Sequence, residues 1–215
     1  MTVNITSQST EDIGSVRKKK VTIILNAAKK EFVTFGFKGA SIKRIAERAN
    51  IPRANIHYYF ANKEELYKVL LTDIVTNWNR NFDSFNDFDD PKVALSSYIR
   101  SKVRYSMDDP EGSRIFASEI IHGADALKSY LSSEFTLWLE QKVKVIETWI
   151  SKGLMDDINP YHLLFLIWGA TQHYADFNVQ VVAALNVDSL SEQHFESIVA
   201  SITHIVLKGC GINPL

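Results

Sequence analysis

The sequence predicts an all-α protein, and three observations carry that prediction. Apolar residues recur at three- and four-residue spacings along most of the chain from Val21 onward. No stretch of any length alternates apolar with polar residues as a half-buried strand does, and no segment repeats another. The breaks between periodic stretches are short: "DDPEG", "HGAD", "GLMDDINP" and "ALNVDSLS".

Taken in order, residues 1–16 carry no periodicity and read as a disordered tail. From Val21, the positions Ile24, Leu25, Ala28, Phe32 and Phe35 fall at helical spacing, and Gly36 suits the residue just past the last turn. A second helix starts near Ser41, a natural N-cap, and turns Ile42, Ile45, Ala46 and Ala49 inward. Asn50 tolerates the left-handed backbone of a tight turn, and Pro52 suits the first position of a short third helix. Asn62 reads as the cap of a long fourth helix running towards Phe82, with Glu64 and Glu65 against the positive end of its dipole. Beyond "NDFDDP" (86–91), helices are predicted over about 92–107, 111–121, 124–151, 160–182 and 191–208.

Composition narrows the class. A chain of 215 residues with 46% hydrophobic and 23% charged residues is ordinary for a globular protein and long enough for a core without covalent staples. The single cysteine, Cys210, cannot close an intramolecular bridge. The polar N-terminus has no apolar stretch behind its basic run, so it does not read as a signal peptide. "LLFLIWGA" (163–170) is far too short to span a bilayer, and a cytoplasmic location is expected. The net charge of −1 hides an asymmetry: Arg17 to Lys68 holds 13 Lys and Arg against 4 Asp and Glu, leaving the remainder strongly acidic. A basic module joined to an acidic one suggests that the first meets a polyanion.

"RANIHYYF" (53–60) sharpens that suggestion. At about 100° per residue, Ile56, Tyr59 and Phe60 fall within one arc, which must be buried. Opposite lie Arg53, Ala54, His57 and Tyr58, with Asn55 at the flank. A rigid helix face with hydrogen-bonding tips and one small residue for close approach is what the major groove requires. Helix, tight turn and helix within a basic segment is a helix-turn-helix pattern, and Lys63 adds a phosphate contact at the start of the next helix. The same face also suits a protein interface.

"ILNAAKKEFVTFGFKGASIKRIAERANIPRANIHYYFANKEELYKVLL" (24–71) resembles the DNA-binding domain of TetR-family regulators. The shared features are Phe-Gly-Phe at the end of the first helix, Ile-Ala-x-x-Ala, a turn, and Tyr-Tyr-Phe-x-x-Lys-Glu. Asn50 stands at the usual turn glycine, Pro52 at the usual serine cap, and His57 where tyrosine is frequent. Beyond the tail at 1–16, the resemblance implies a helix-turn-helix DNA-binding domain at 17–77 and a ligand-binding and dimerisation domain at 78–215. It also implies a homodimer on a palindromic operator in double-stranded DNA, usually a repressor released by a small molecule. The expected DNA-contacting set is Ser41, Lys43, Arg44, Arg53, Ala54, Asn55, His57, Tyr58 and Lys63.

In "LLFLIWGATQHYADF" (163–177), Trp168, Thr171, Gln172 and Ala175 share one face of the wheel while His173 and Asp176 turn away. A glutamine amide offers a donor and an acceptor, complementing a lactam or imide edge, and an indole offers a flat apolar wall. Core packing with an interhelical hydrogen bond would produce the same pattern. "YIRSKVRYSMDDPEGSRIFASEI" and "IWGATQHYADF" are similar to the pyrimidine-utilisation regulators of the TetR family, in which uracil or thymine is the effector. Carried over by position, that similarity implies a pocket at Trp78, Trp168 and Gln172, with Thr171, Tyr174 and Arg114 at its edge. Leu163, Leu164 and Ile167, with Ile198, Ile202 and Ile205, suggest a four-helix dimer interface, or simply an intrachain core. No phosphate-binding glycine loop, His-Glu-x-x-His or cysteine cluster points to an enzyme, a metal or a cofactor. A different effector on the same fold, or a helical adaptor that binds no DNA, remains open.

Overall fold

The computed structural model describes residues 6–79, 86 and 89–214, and every regular element among them is helical. Residues 1–5 of the expected tail, residues 80–82 of the expected fourth helix and residues 87–88 of "NDFDDP" lie outside the described residues. The chain divides into two compact units, up to Thr72 and from Asp73.

In the first unit, α1 spans Thr6–Gly39. It starts well before Val21, so residues 6–16 continue the helix where disorder was expected. A helix once nucleated gains a hydrogen bond with each added residue, and this stretch holds no proline to stop it. The backbone breaks at Gly36, whose φ of 64° and ψ of 174° are readily reached only without a side chain. Helix α2 (Ile42–Ala49) is capped by Ser41, whose Oγ accepts the Arg44 N–H at 3.3 Å. Asn50 follows in the left-handed region (φ 52°, ψ 48°), its N–H closing onto the carbonyls of Ala46 and Glu47. Helix α3 (Arg53–Tyr59) begins one residue after the predicted start, because Pro52 holds a ψ of 139° and stands before the helix rather than in it. Helix α4 (Lys63–Asn79) is capped by Asn62, which accepts from Glu65 N at 2.8 Å while the Glu65 carboxylate reaches back to Ala61 N at 2.6 Å. Ile24, Ala28, Phe32, Ile45, Ile56, Phe60 and Leu66 are all buried.

Three charged side chains are built into this unit. Glu31 is fully buried, and its Oε1 accepts from Ser41 N at 3.2 Å and Arg44 Nε at 2.6 Å. Arg44 also donates to the Gly39 carbonyl and lies over the Phe35 ring at 4.5 Å. Lys63 donates to the carbonyls of Phe37 (2.8 Å), Ala40 (3.2 Å) and Lys38 (3.5 Å), at the frayed end of α1.

The second unit contains α5 (Pro91–Asp108), α6 (Pro110–Ile121), α7 (Lys128–Tyr130), a π-helical turn (Leu131–Phe135), α8 (Thr136–Ser151), α9 (Pro160–Asp176), α10 (Asn178–Leu185) and α11 (Glu192–Gly209). Asp90, Asp109, Asn159 and Ser191 cap α5, α6, α9 and α11 through side-chain oxygens, so the polar breaks read from the sequence act as helix starts. Helix α5 packs against both α9 and α11, and α9 also meets α6 and α8. Leu95, Ile99, Val103, Ile146, Trp149, Leu164, Ile167 and Phe195 lie in one buried cluster. Arg100 and Arg104 on α5 pair with Glu196 and Glu192 on α11 and lie over the Phe195 ring.

Three expectations change here. The helix expected over 124–151 opens with turns and a π-helical turn, because the Ser132, Ser133 and Thr136 hydroxyls bond carbonyls of the preceding turn and compete with the backbone ladder. The helix expected over 160–182 breaks at Phe177 and restarts as α10. Leu163, Leu164, Ile167, Ile198 and Ile202 are buried in the intrachain cluster, so of the expected interface stripe only Ile205 faces solvent, at 65% exposure. Among the described residues no helix is long and apolar enough to cross a membrane.

Removing Arg44 strands the buried Glu31 carboxylate. Arg44→Ala is expected to cost about 2 kcal/mol in chemical denaturation, less than a fully buried pair because the arginine is half-exposed. Glu31→Gln/Arg44→Ala together should recover part of that loss; a double variant no more stable than Arg44→Ala would show that the ion pair is not the origin.

Candidate functional site

In the first unit the candidate surface is the outward side of α3. Ile56 and Phe60 are buried and Tyr59 half-buried, while Arg53, Ala54, Asn55, His57 and Tyr58 are exposed, as the wheel predicts. Tyr58 is 77% exposed, with its ring held edge-on against Tyr59 at 5.0 Å. Among the described residues the side chains of Arg53, Asn55 and His57 have no hydrogen-bond or ion-pair partner. Lys43 on α2 is exposed and meets Glu47 at 3.9 Å, a solvated pair worth little. Ser41 serves as the α2 cap and keeps its hydroxyl proton as a donor.

Arg44 and Lys63 do not join this surface as free cations. The Arg44 guanidinium is folded back onto Glu31, Gly39 and Phe35. The Lys63 ammonium uses its three protons on the carbonyls that end α1 and rests 4.6 Å from the Phe37 ring centre. Both were expected to contact DNA; in the folded chain they hold α2 and α4 to α1. The sequence alone did not show this, because neither carbonyl placement nor the buried Glu31 is visible in periodicity.

In the second unit the expected pocket residues separate into two groups. Trp78, on the last turn of α4, stands edge-on to Phe116 at 4.9 Å and to Tyr105 at 5.8 Å. Trp168 donates its indole N–H to the Tyr98 hydroxyl at 2.6 Å and packs with Phe165, Phe135 and Trp138. The two indoles do not touch each other, but one face of α5 serves both. Tyr98 meets Trp168, whereas Lys102 and Tyr105 meet Trp78. Gln172 is half-buried one turn beyond Trp168, and its amide has no hydrogen-bond partner among the described residues.

The other expected pocket residues are elsewhere. The Thr171 hydroxyl is buried and donates to the Ile167 carbonyl of its own helix at 2.7 Å, which leaves it no proton for a ligand. Tyr174 lies on the opposite side of α9, lining a groove with Val181, His194 and Ile198. Arg114 is exposed and folds its Nε onto the Pro110 carbonyl at 3.3 Å.

Lys102 was not among the expected residues, and Asp176, expected to turn away, is half-buried. Lys102 is 7% exposed, with its ammonium 4.5 Å from the Trp78 ring centre and no ion pair or hydrogen bond among the described residues. Burial pushes its pKa down to about 8, opposed by the charge of Asp176. Asp176 is half-buried and accepts from Ser113 Oγ at 2.6 Å; its own burial raises its pKa, against the Ser113 bond and the charges of Lys102, Arg114 and His173. A signal for Lys102 was present. It follows Leu95, Tyr98 and Ile99 on the apolar stripe of α5, where a lysine has no structural reason to be.

The description "Bacterial regulatory proteins, tetR family" matches residues 24–70, and "YcdC-like protein, C-terminal region" matches residues 71–213. The chain is 37% identical over 192 residues to the HTH-type transcriptional regulator RutR of Escherichia coli strain K12, covering 89% of this chain and 90% of that protein. It is 31% identical over 193 residues to the HTH-type transcriptional repressor NicS of Pseudomonas putida, covering 86% and 90%. The crystal structure of AibR in complex with isovaleryl coenzyme A and operator DNA superposes with a TM-score of 0.66 at 14% identity, covering 91% of this chain and 98% of that one.

A buried ammonium with a lowered pKa has a defined signature in stability. Between about 8 and the ordinary 10.5 the unfolded chain binds more protons at Lys102 than the folded one, so its destabilising effect is complete below 8 and fades as pH rises through that window. Lys102→Met should therefore raise stability at pH 7 by about 1–3 kcal/mol. The gain should shrink towards pH 10. A variant less stable than wild type at pH 7 would contradict this account.

Proposed function

This chain belongs to the TetR family of bacterial regulatory proteins, and from that premise we propose that it represses transcription by binding a palindromic operator as a homodimer and lets go when a small planar effector binds. The observation that carries the DNA reading is the outward face of α3: five consecutive-turn positions, Arg53, Ala54, Asn55, His57 and Tyr58, all exposed on a helix anchored by Ile56 and Phe60. Their chemistry suits base edges in a major groove, with Lys43 and Ser41 as phosphate contacts. AibR, with the same fold, has been captured on operator DNA, and NicS is named a repressor. Members of this family regulate transcription and are not enzymes.

For the effector, the similarity of "IWGATQHYADF" to the pyrimidine-utilisation regulators supports uracil or thymine, and with it control of pyrimidine catabolism or related nitrogen metabolism. The ring would lie between the Trp78 and Trp168 faces, with the open amide of Gln172 on its edge. Helix α4 is continuous from Lys63 to Asn79. Trp78 and Lys63 therefore belong to one helical rod. A ligand that shifts Trp78 acts on that rod. For the dimer, the outward faces of α9 and α11 are the candidate surface: Leu166, Gly169 and His173 on one, Ser197, Ser201 and Ile205 on the other, all exposed. Small residues among them allow close helix approach.

Tyr58→Ala and Arg53→Ala should each weaken binding to a selected operator by about 1–3 kcal/mol without unfolding the protein. Wild-type affinity in both would remove α3 as the reader. Sedimentation should give a dimer at micromolar concentration, and Leu166→Glu/Ile205→Glu a monomer. A monomeric wild type would rule out the palindromic arrangement. Operator DNA should weaken uracil binding by the same factor as uracil weakens operator binding, about 1–3 kcal/mol of coupling.

A further inference from the structure

Along α9, Trp168, Gln172 and Asp176 are spaced by four and so share one face. Along α5, Tyr98 and Lys102 have the same spacing. Tyr98 and Trp168 close directly through a hydrogen bond. Lys102 and Asp176 do not close: each feels the other's charge, yet no ion pair joins them. The ammonium is held on the Trp78 face and the carboxylate on Ser113. Opposite charges in a poorly solvated site attract strongly, so a fold that keeps them apart gives up stability it could have had. What it retains is a buried donor on the Trp78 face and an acceptor held by Ser113 of α6, the helix whose Phe116 meets the same indole, with the Gln172 amide one turn from the acceptor.

The geometry points to Lys102 and Asp176 as an opposed donor–acceptor pair that takes the O=C–N–H edge of an uncharged cyclic imide or ureide, Lys102 donating to a ring carbonyl and Asp176 accepting from a ring N–H. This rests on the effector reading above and deepens it. The site already sets a cationic donor against an acidic acceptor, so an uncharged ring adds no further charge to be desolvated there. A carboxylated ring should therefore be rejected, and a ring stripped of its N–H groups should lose the Asp176 contact. Gln172 then serves the second half of the edge rather than carrying recognition alone.

Calorimetry on the full-length protein tests this with four probes: uracil, hydantoin, 1,3-dimethyluracil and orotate. Wild type should bind uracil and hydantoin, and bind dimethyluracil and orotate at least ten-fold more weakly. Lys102→Met and Asp176→Asn should each weaken uracil binding at least ten-fold while remaining folded by thermal melting; the asparagine can still accept from Ser113. If uracil binds wild type and both variants alike, the pair is not in the site, and the effector reading survives without it. If dimethyluracil binds as well as uracil, Asp176 is not an acceptor for the ring. If orotate is preferred, the neutral-ligand class is wrong. If wild type binds none of the probes, the imide class falls for both the pair and the effector reading.

Discussion

A helix of seven residues has no stability of its own in water, and α3 exists because its surroundings hold it. Ile56 and Phe60 are buried, Asn50 turns the chain through a left-handed conformation, and Asn62 starts the next helix immediately after. That constraint explains why the first unit places costly groups where they look least welcome. Glu31 is fully buried so that one carboxylate can bind the α2 cap and Arg44 together. Lys63 closes the carbonyl end of α1 that Gly36 leaves open. With two cations used on scaffolding, the outward side of α3 is left as a small rigid surface with unengaged hydrogen-bonding tips.

The second unit solves the opposite problem. Its core is large, with α5 covered by α9 and α11, and it tolerates a region that is not optimised for stability. Lys102 sits there among Trp78, Tyr105 and Phe116, with the Asp176 charge beyond contact. Tyr98 and Trp168, one turn away on the same faces, show how these helices close when they are free to do so. The contrast between a closed aromatic pair and an open charged pair is the strongest local sign of a site in this unit.

Much of the fold was legible because helix periodicity reports which face is buried. The split of α3 into Ile56, Tyr59 and Phe60 against Arg53, Ala54, His57 and Tyr58 came directly from 100° spacing. Helix starts were legible where a single side chain does the capping, as at Ser41, Asn62 and Ser191. Less of the expected pocket was legible. Asp176 was expected to turn away and is half-buried against Ser113, and the Thr171 hydroxyl bonds the carbonyl of Ile167 on its own helix. The interface stripe failed similarly: Leu163, Leu164 and Ile167 are apolar because they fill the core, and periodicity does not say which partner an apolar face meets.

By itself the sequence determined the all-helical class, the positions of most helix starts, the basic charge of the first module and the identity of the α3 surface. Each of these follows from short-range physics: spacing along one helix, a cap three residues away, or a sum of charges. Tertiary structure decided which cations remain free, which amide stays unpaired and which carboxylate is held by a serine of a neighbouring helix. Long side chains such as those of Arg44, Lys63 and Lys102 end several ångströms from their own backbone. Their role is set by groups on other helices, and no local pattern encodes where those groups will be.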